Sequence, residues 1–425
     1  MGHLGDVKLS YKTLQKRLDR YPVGAPESNE LYEILKMLYT AEEAEIASRM
    51  PMKPTTLEEI HRRTGKDKTV LADTLDKMAE KGLVIDFERG KSGRKIYFLA
   101  PTVVGFFEFS LMRVRNDIDQ KLLSELFHKY MYEDLDFAHD AFQGQTQVGR
   151  TLVHETALGE DYAEVLSYEK ASELIKEAKF RGVSMCYCRH KASHLNHACE
   201  NPVEICMSLN NGAEYSVRRN MAKEVSKEQM LDILDESRGR GLVQVCDNIK
   251  SEPAFICNCC GCCCGMMTAI NKANIKNAVM TSNFIASVDT PNCHGCGKCA
   301  ERCPIKAIEI KKIQVSDRKK RKYAVVDESI CLGCGVCYAG CKNNVMSMKM
   351  RKHRVVTPEN TLERIIIMAL ERGKLQNFLF DDPDNFTYEF LSKFLGVILK
   401  FPPVKRTLLQ KQVRSRFLSF ALKKN

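Results

Sequence analysis

The strongest constraint on this chain is a cysteine spacing that occurs twice. CHGCGKCAERCP at 293–304 and CLGCGVCYAGCK at 331–342 both read Cys-x2-Cys-x2-Cys-x3-Cys. Glycines between the first three cysteines of each motif permit tight turns, so three successive sulfurs can converge on one centre. An uninterrupted run of this kind favours an iron–sulfur cluster over zinc, because structural zinc more often uses two Cys-x2-Cys pairs separated by a longer loop.

These two motifs resemble the bacterial two-cluster ferredoxins over residues 286–350. The resemblance implies two 4Fe-4S clusters, each taking its fourth ligand from the other motif. The second motif departs from the family pattern, since it ends in Lys342 where Pro304 ends the first. The segment IEIKKIQVSDRKKRKYAVV between them predicts an extended hairpin with a basic tip. The implied ligands are Cys293, Cys296, Cys299 and Cys341 for cluster 1, and Cys331, Cys334, Cys337 and Cys303 for cluster 2.

A second and denser group of cysteines precedes the two motifs. ICNCCGCCCG at 256–265 has six cysteines within eight positions, and MCYCRHK at 185–191 begins an earlier set. Adjacent side chains of an extended backbone point to opposite sides, so neighbours such as Cys259 and Cys260 are expected to serve different centres. All 19 cysteines lie between Cys186 and Cys341. We read no export signal at the N-terminus, and reduced cytoplasmic thiols favour metal binding over disulfides.

The dense group predicts one or two further iron–sulfur clusters or zinc sites, with a metal-free redox dithiol as an alternative. Arg189 and Lys191 would offset thiolate charge or bind an anionic substrate. Cys246 follows a strand-like run and is predicted to be a buried thiol outside the metal sites. The candidate ligands are Cys186, Cys188, Cys199, Cys206, Cys257, Cys259, Cys260, Cys262, Cys263 and Cys264. Three histidines nearby either ligate metal or are ordinary loop residues: His190, His194 and His197.

The N-terminal part has a different character. Apolar spacing predicts one amphipathic helix over residues 30–50, followed by a helix pair in TTLEEIHRRTG and KTVLADTLDKMAEKGLV and a hairpin in VIDFERGKSGRKIYFLAP. This order resembles the winged-helix family over residues 30–101. The second helix of the pair has three lysines against three acidic residues, so it is neutral. That balance favours a structural or docking role over reading DNA.

The whole chain is therefore predicted to be an α+β protein of several domains. Along nearly its full length it resembles larger iron–sulfur proteins of anaerobic bacteria that combine a winged-helix-like part, CxCR and CNCCGCCC segments and a dicluster ferredoxin. The predicted divisions are an N-terminal helical extension at 1–29, a winged-helix-like domain at 30–125, a helical connector at 126–185, a Cys-rich metal domain at 186–285, the dicluster domain at 286–350 and a basic helical region at 351–425.

The resemblance implies a cytoplasmic multi-cluster electron carrier, or an electron-relay subunit of an anaerobic oxidoreductase, that works with a redox partner protein or other subunits. The chain has no Rossmann or Walker motif, which argues against a self-contained flavin or nicotinamide dehydrogenase or an ATP-driven reductase. Two alternatives stay open. One is a redox-sensing winged-helix regulator that binds DNA, and the other is a small-molecule reductase with an open iron site in the Cys-rich domain.

The C-terminal residues 400–425 contain eight Lys and Arg and no acidic residue. Such a segment could meet an acidic partner, the surface of the inner membrane or nucleic acid, of which nucleic acid is the least expected. No apolar run approaches the roughly 20 residues that a membrane-spanning helix requires.

Overall fold

The computed structural model describes residues 8–89, 93–133, 135–142, 144–158, 166–316 and 319–381, with positions 391, 395, 396 and 399. The predicted basic segment at 400–425 lies outside the described residues. The structure has 45% helix and 17% strand, which confirms the α+β class. Contacts divide the chain into two compact units, which are residues 1–146 with 361–425 (unit 1) and residues 147–360 (unit 2). Among the described residues, no helix has the length and apolar character needed to cross a membrane.

The helices are numbered in chain order. They are α1 (Leu9–Asp19), α2 (Asn29–Leu38), α3 (Ala41–Arg49), α4 (Leu57–Thr64), α5 (Lys68–Glu80), α6 (Phe107–Phe109), α7 (Gln120–Tyr132), α8 (Asp136–Phe142), α9 (Ala171–Glu177), α10 (Tyr187–His194), α11 (Asn210–Arg218), α12 (Lys227–Gly239), α13 (Gly265–Asn271), α14 (Lys298–Arg302), α15 (Val336–Ala339), α16 (Thr361–Glu371) and α17 (Gln376–Leu379).

The strands are numbered in the same way. They are β1 (Val84–Arg89), β2 (Arg94–Leu99), β3 (Gly149–Thr151), β4 (Arg181–Met185), β5 (Glu204–Leu209), β6 (Lys223–Glu224), β7 (Val243–Asp247), β8 (Phe255–Cys259), β9 (Phe284–Val288), β10 (Ile308–Ser316), β11 (Lys319–Val326) and β12 (Met346–Met350).

The single helix predicted over residues 30–50 is wrong, because α2 and α3 are separate. Thr40 interrupts the helical path by forming a capping box with Glu43. The backbone N–H of Glu43 donates to Thr40 Oγ1 at 3.2 Å, and the backbone N–H of Thr40 donates to Glu43 Oε2 at 2.8 Å. This reciprocal pair satisfies two helix-end donors and starts a new helix.

The helix pair and hairpin of unit 1 occur in the predicted order. Thr56 caps α4, whose end is marked by Gly65 at φ +67°. Strands β1 and β2 pair antiparallel from Val84 opposite Leu99. Thr55 bridges to Tyr97 of β2 through two backbone hydrogen bonds of 2.9 and 2.8 Å. Membership of the winged-helix family stays a prediction.

Unit 2 contains a six-stranded antiparallel sheet in the order β3-β7-β8-β5-β4-β6. Helices α9 and α12 cover one face with an apolar cluster that includes Met207, Ile256 and Cys246. Cys246 is fully buried there, in the environment that its sequence predicts. The stretch 126–185 is more than the helical connector that was predicted, since β3 and β4 belong to this sheet. Strands of three and five residues are too short to give a periodic signal.

The ferredoxin-like part of unit 2 follows the sheet. Strands β9 and β12 pair antiparallel, with Val288 opposite Met346. Strands β10 and β11 form the long hairpin predicted between the two cysteine motifs, with Ile308 opposite Val326. The hairpin and the β9–β12 ladder therefore frame the two motifs.

The described residues of unit 1 include a buried ion pair. Arg17 Nη2 lies 2.6 Å from Asp381 Oδ1, and both side chains are nearly inaccessible to solvent. Arg17 Nε also donates to Met50 O at 2.7 Å, and Asp381 Oδ2 accepts the backbone N–H of Met52 at 2.9 Å. The pair thus fastens the segment after α17 to α1 and to the loop after α3.

We predict that Asp381→Ala will destabilise unit 1 by about 3 kcal/mol or more, because it leaves Arg17 charged, buried and unpaired. Native-state hydrogen exchange of the amides in α1 measures this loss directly. The matched control is Glu33→Ala, which removes an exposed ion pair with Lys36 and should cost less than about 1 kcal/mol. Equal protection of α1 in the two variants would contradict the prediction.

Candidate functional site

Four cysteines line one apolar cavity in the ferredoxin-like part. They are Cys303 from the first motif and Cys331, Cys334 and Cys337 from the second. This is the ligand set that the ferredoxin resemblance implies for cluster 2. The remaining lining is almost wholly apolar, which suits a cluster whose potential depends on exclusion of water. The other side chains around the cavity include Ile305, Ile308, Leu332, Val336 and Met348.

The cysteines implied for cluster 1 lie around α14. Cys293 and Cys299 are buried, whereas Cys296 is exposed. Burial raises the pKa of the Cys299 thiol, and the charges of Cys293 and Cys296 raise it further. Cys341 follows α15, which packs against α14.

Backbone conformation in both motifs depends on glycine. Gly295 and Gly333 have φ of +62° and +71°, and neither has room for a Cβ atom. A Cβ at Gly333 would overlap the carbonyl oxygen of Phe284, and one at Gly295 would overlap Lys322. The motif loops can therefore approach the framing strands only because these residues lack side chains.

Backbone N–H groups point at two of the motif sulfurs. Ala324 N donates to Cys293 Sγ at 3.4 Å, and so does Gly295 N. Ala307 N donates to Cys303 Sγ at 3.2 Å. Such bonds stabilise thiolates and adjust the potential of a cluster that the thiolates bind. The cavity, the glycine approach and these donors all fit 4Fe-4S clusters.

The upstream cysteines separate into two groups of sulfurs. The first, here called the inner group, has six members whose thiols shift one another's pKa in a chain that runs from Cys186 to Cys188, Cys264, Cys259, Cys257 and Cys206. Strand alternation explains part of it, because positions 257 and 259 share one face of β8. The antiparallel register that pairs Met207 with Ile256 places Cys206 beside Cys257.

The second, here called the outer group, consists of Cys199, Cys260, Cys262 and Cys263. Their four Sγ atoms all lie within 4.8 Å of one another. Cys199 Sγ is 3.7 Å from Cys260 Sγ and 3.8 Å from Cys263 Sγ, and the Sγ atoms of Cys262 and Cys263 are 3.6 Å apart. Cys260 and Cys263 are buried, and Cys262 is exposed.

The division follows the expected separation of neighbouring sulfurs with one exception. Cys259 and Cys260 enter different groups, and so do Cys263 and Cys264. Cys262 and Cys263, however, join the same group. The alternation rule applies to extended backbone, whereas residues 261–263 form a turn in which consecutive side chains can converge.

Two buried cations interact electrostatically with sulfurs of both groups. Arg189 donates to Pro202 O at 3.1 Å and to Asn258 O at 2.8 Å. Burial alone would lower the pKa of Arg189, but the thiolates of Cys186, Cys260 and Cys199 outweigh burial and raise it.

Lys191 is also buried. Its burial lowers the pKa, and the neighbouring Cys188, Cys264 and Cys263 only partly oppose that shift. Both cations are therefore near enough to sulfur to offset thiolate charge, and the two predicted roles, charge compensation and binding of an anionic substrate, stay predictions.

The candidate histidines are on or just after α10. His190 and His194 pair with each other, their Nε2 atoms being 3.2 Å apart and their ring centroids 4.8 Å apart. His197 Nδ1 lies 3.3 Å from Leu195 O. The outer group has four sulfurs without an imidazole, and ligation of metal by these histidines stays a prediction.

A residue that sequence reasoning missed is His154. Its backbone N–H donates to Cys334 O at 2.8 Å, and its Nε2 lies 3.0 Å from Leu242 O. Burial lowers the pKa of His154 to about 4, so the ring is neutral at pH 7. It connects the loop before α9 with a cluster 2 loop and with the start of β7, and nothing in its sequence neighbourhood signals that position.

Basic residues of the β2 wing in unit 1 are paired with acids. Arg94 lies 3.6 Å from Glu58, and Lys95 lies 3.8 Å from Asp76. The surface between α4, α5 and β2 also includes Asp73 and Glu80. Nearby acids offset the positive charge that a phosphate backbone would require.

Comparison with family models supports the ferredoxin-like assignment. Residues 292–354 match the family described as a 4Fe-4S dicluster domain. Comparison of the chain with curated proteins gave no significant match, and comparison with solved structures gave none. The match supports iron–sulfur electron transfer for this segment.

We predict that Gly333→Ala will abolish cluster 2 and lower the iron content by about four per chain. The added Cβ would collide with Phe284 and displace the loop that holds Cys331 and Cys334. Anaerobic measurement of iron and acid-labile sulfide checks this outcome.

Gly297→Ala is the matched control for that prediction. Gly297 has φ +86°, but a Cβ there would meet no atom within 4 Å. This variant should retain its iron at a cost of about 1 kcal/mol in stability. Equal iron loss in both variants would show that left-handed strain, and not the collision, governs the loop.

Proposed function

We propose that the chain is a multi-cluster electron-transfer protein, or the electron-relay subunit of an oxidoreductase, in which the two ferredoxin-type clusters exchange electrons with a third iron–sulfur centre held by the inner group. A 4Fe-4S cluster, when bound, carries one electron at a time with little rearrangement. The chain's own residues hold the clusters, exclude water from them and set the path between them.

The observation that supports this proposal is the contact between the dense cysteine run and the cluster 2 loop. Gly261, in the middle of the run, packs so closely on Pro304 that a Cβ would overlap the Pro304 carbonyl oxygen. Pro304 directly follows Cys303. A short protein path therefore joins the cysteine run to a cluster 2 ligand.

A side chain fastens this contact. Asn271 Nδ2, at the end of α13, donates to Pro304 O at 2.9 Å and to Gly261 O at 3.3 Å. Because α13 begins directly after Cys264 of the inner group, the same helix is attached to both sulfur-bearing segments.

A second contact lies on the other side of the cluster 2 loops. His154 donates to Cys334 O, and a Cβ at Gly335 would lie 3.1 to 3.2 Å from the Cβ atoms of Ala157 and His154. The sheet and the ferredoxin-like part thus meet at two places that flank cluster 2. Such an arrangement holds the separation between the centres constant, which a relay requires.

We propose that the redox partner docks on the β10–β11 hairpin and presents an acidic surface. Lys311, Lys312 and Lys322 of this hairpin are exposed. Lys322 packs against Gly295 in the cluster 1 loop, so an acidic partner bound here would lie next to cluster 1. Opposite charge on two partners speeds and orients their encounter.

We predict that the anaerobically purified chain contains more than the about eight irons of two cubanes, with about four or more additional irons in the inner group. Cys257→Ser should remove the additional iron and leave the ferredoxin iron in place. Iron and acid-labile sulfide analysis, with electron paramagnetic resonance of the reduced protein, measures both. About eight irons in the unaltered chain would exclude a third iron–sulfur centre.

We predict that Asn271→Asp will slow electron exchange between cluster 2 and the inner centre at least severalfold without loss of iron. The carboxylate cannot donate, and it would repel the carbonyl oxygens of Gly261 and Pro304. Rapid-freeze paramagnetic resonance after a reducing pulse follows the exchange.

Asn274→Asp is the control, since it makes the same chemical change three residues away and on the surface. It should exchange electrons at the rate of the unaltered chain. Equal rates in the two variants would argue against a path through the Gly261–Pro304 contact.

A further inference from the structure

The sulfur spacing in the outer group has the dimensions of a single-ion site. A tetrahedron with metal–sulfur distances of about 2.3 Å has sulfur–sulfur edges of about 3.8 Å. Three of the six Sγ–Sγ distances are 3.6, 3.7 and 3.8 Å, and all six are within 4.8 Å. A cubane holds its four thiolates further apart, because each thiolate binds a different iron. Among the described residues, the outer group alone brings three or more ligating side chains this close together.

We propose that Cys199, Cys260, Cys262 and Cys263 bind one zinc ion in a closed tetrahedral site. Four thiolates leave no coordination position for water or substrate, so the ion would be structural. The ion itself would carry no electron, although the turn that holds three of its ligands includes Gly261, whose contact with Pro304 belongs to the path proposed above. The assignment of zinc does not depend on that path.

The groups around the outer group suit this ion. Asn201 Nδ2 donates to Cys199 Sγ at 3.4 Å. Such donors orient thiolate ligands in metal sites. Four thiolates around a divalent ion have a net charge of −2, and Arg189 and Lys191 lie beside them to offset it.

The position of the outer group indicates what the zinc does. Cys199 lies in the loop between α10 and β5, whereas the other three ligands lie in the turn between β8 and α13. One ion would therefore tie two segments that are about 60 residues apart in sequence. Cys259 and Cys264 directly flank that turn and belong to the inner group. By holding the three sulfurs of the turn, the zinc would also fix the backbone on either side of it, and so the positions of Cys259 and Cys264 in the inner group.

The experiment is zinc analysis and zinc-edge X-ray absorption of the full-length chain purified anaerobically with iron and zinc both supplied. We expect about one zinc per chain with about four sulfur neighbours near 2.3 Å and no iron neighbour. The edge is selective for zinc, so bound iron does not obscure the result.

Variants locate the zinc and guard against misfolding. Cys262→Ser should lose zinc and Cys257→Ser, in the inner group, should retain it. Cys262→His replaces the exposed ligand with another ligating atom, so it should keep zinc with about three sulfurs and one nitrogen. That change in neighbours cannot arise from loss of folding.

Four results would overturn the proposal. They are zinc far below one per chain, iron in place of zinc, equal loss of zinc in Cys257→Ser and Cys262→Ser, or four sulfurs in Cys262→His. The outcome is also separable from the electron-transfer proposal. One zinc with about eight irons would sustain the zinc site and reject the third iron–sulfur centre.

Discussion

The register of β8 is the constraint on which both upstream sulfur groups depend. Asn258, buried in the middle of this strand, holds three neighbours at once. Its Nδ2 donates to Ile205 O at 2.8 Å, its Oδ1 accepts from Gln244 at 2.9 Å and its backbone carbonyl accepts from Arg189 at 2.8 Å. A slip of one residue would break all three bonds and turn each side chain of the strand to the opposite face. Such a slip would remove Cys257 and Cys259 from the inner group.

The same register explains why Cys246 takes no part in either group. Cys246 pairs with Ile256 across β7 and β8, and both side chains face the apolar cluster under α9 and α12. Cys257 is one residue further along β8 and faces the other way. One position along a strand therefore separates a core thiol from a candidate ligand. This separation results from alternation alone and needs no difference in chemistry between the cysteines.

The parts of the site that could be predicted from sequence are those specified by local spacing. Each ferredoxin motif contains its ligands and turn glycines within twelve residues, so its residues signal its geometry directly. The partition of the upstream cysteines depends instead on tertiary structure. Cys199 and Cys206 are seven residues apart, yet a loop carries the first to the outer group and β5 carries the second to the inner group. Nothing in the intervening residues distinguishes the two destinations.

The break between α2 and α3 was missed for a different reason. Thr40 and Glu43 have capping-box spacing, the same arrangement that begins α12 at Ser226 and Gln229. Apolar residues at helical spacing continue from α2 into α3, because each helix has a buried face. This continuous apolar pattern predicts one helix and hides the boundary at Thr40. A capping-box pattern inside a long amphipathic stretch therefore predicts a helix boundary.

The inner and outer groups are linked physically by charge, because the same two cations interact with sulfurs of both groups. If the proposed metals bind, the ten sulfurs become thiolates, and negative charge that the metal ions neutralise only in part collects in a small volume. Arg189 responds to sulfurs of both groups, and Lys191 does so as well. Both cations are on α10, the helix that begins directly after Cys186. A buried cation is stable only beside compensating charge. If the proposed metal centres are bound, the fold of α10 and the ligation of the sulfurs depend on each other, because the metal-bound thiolates supply the charge that the two buried cations require.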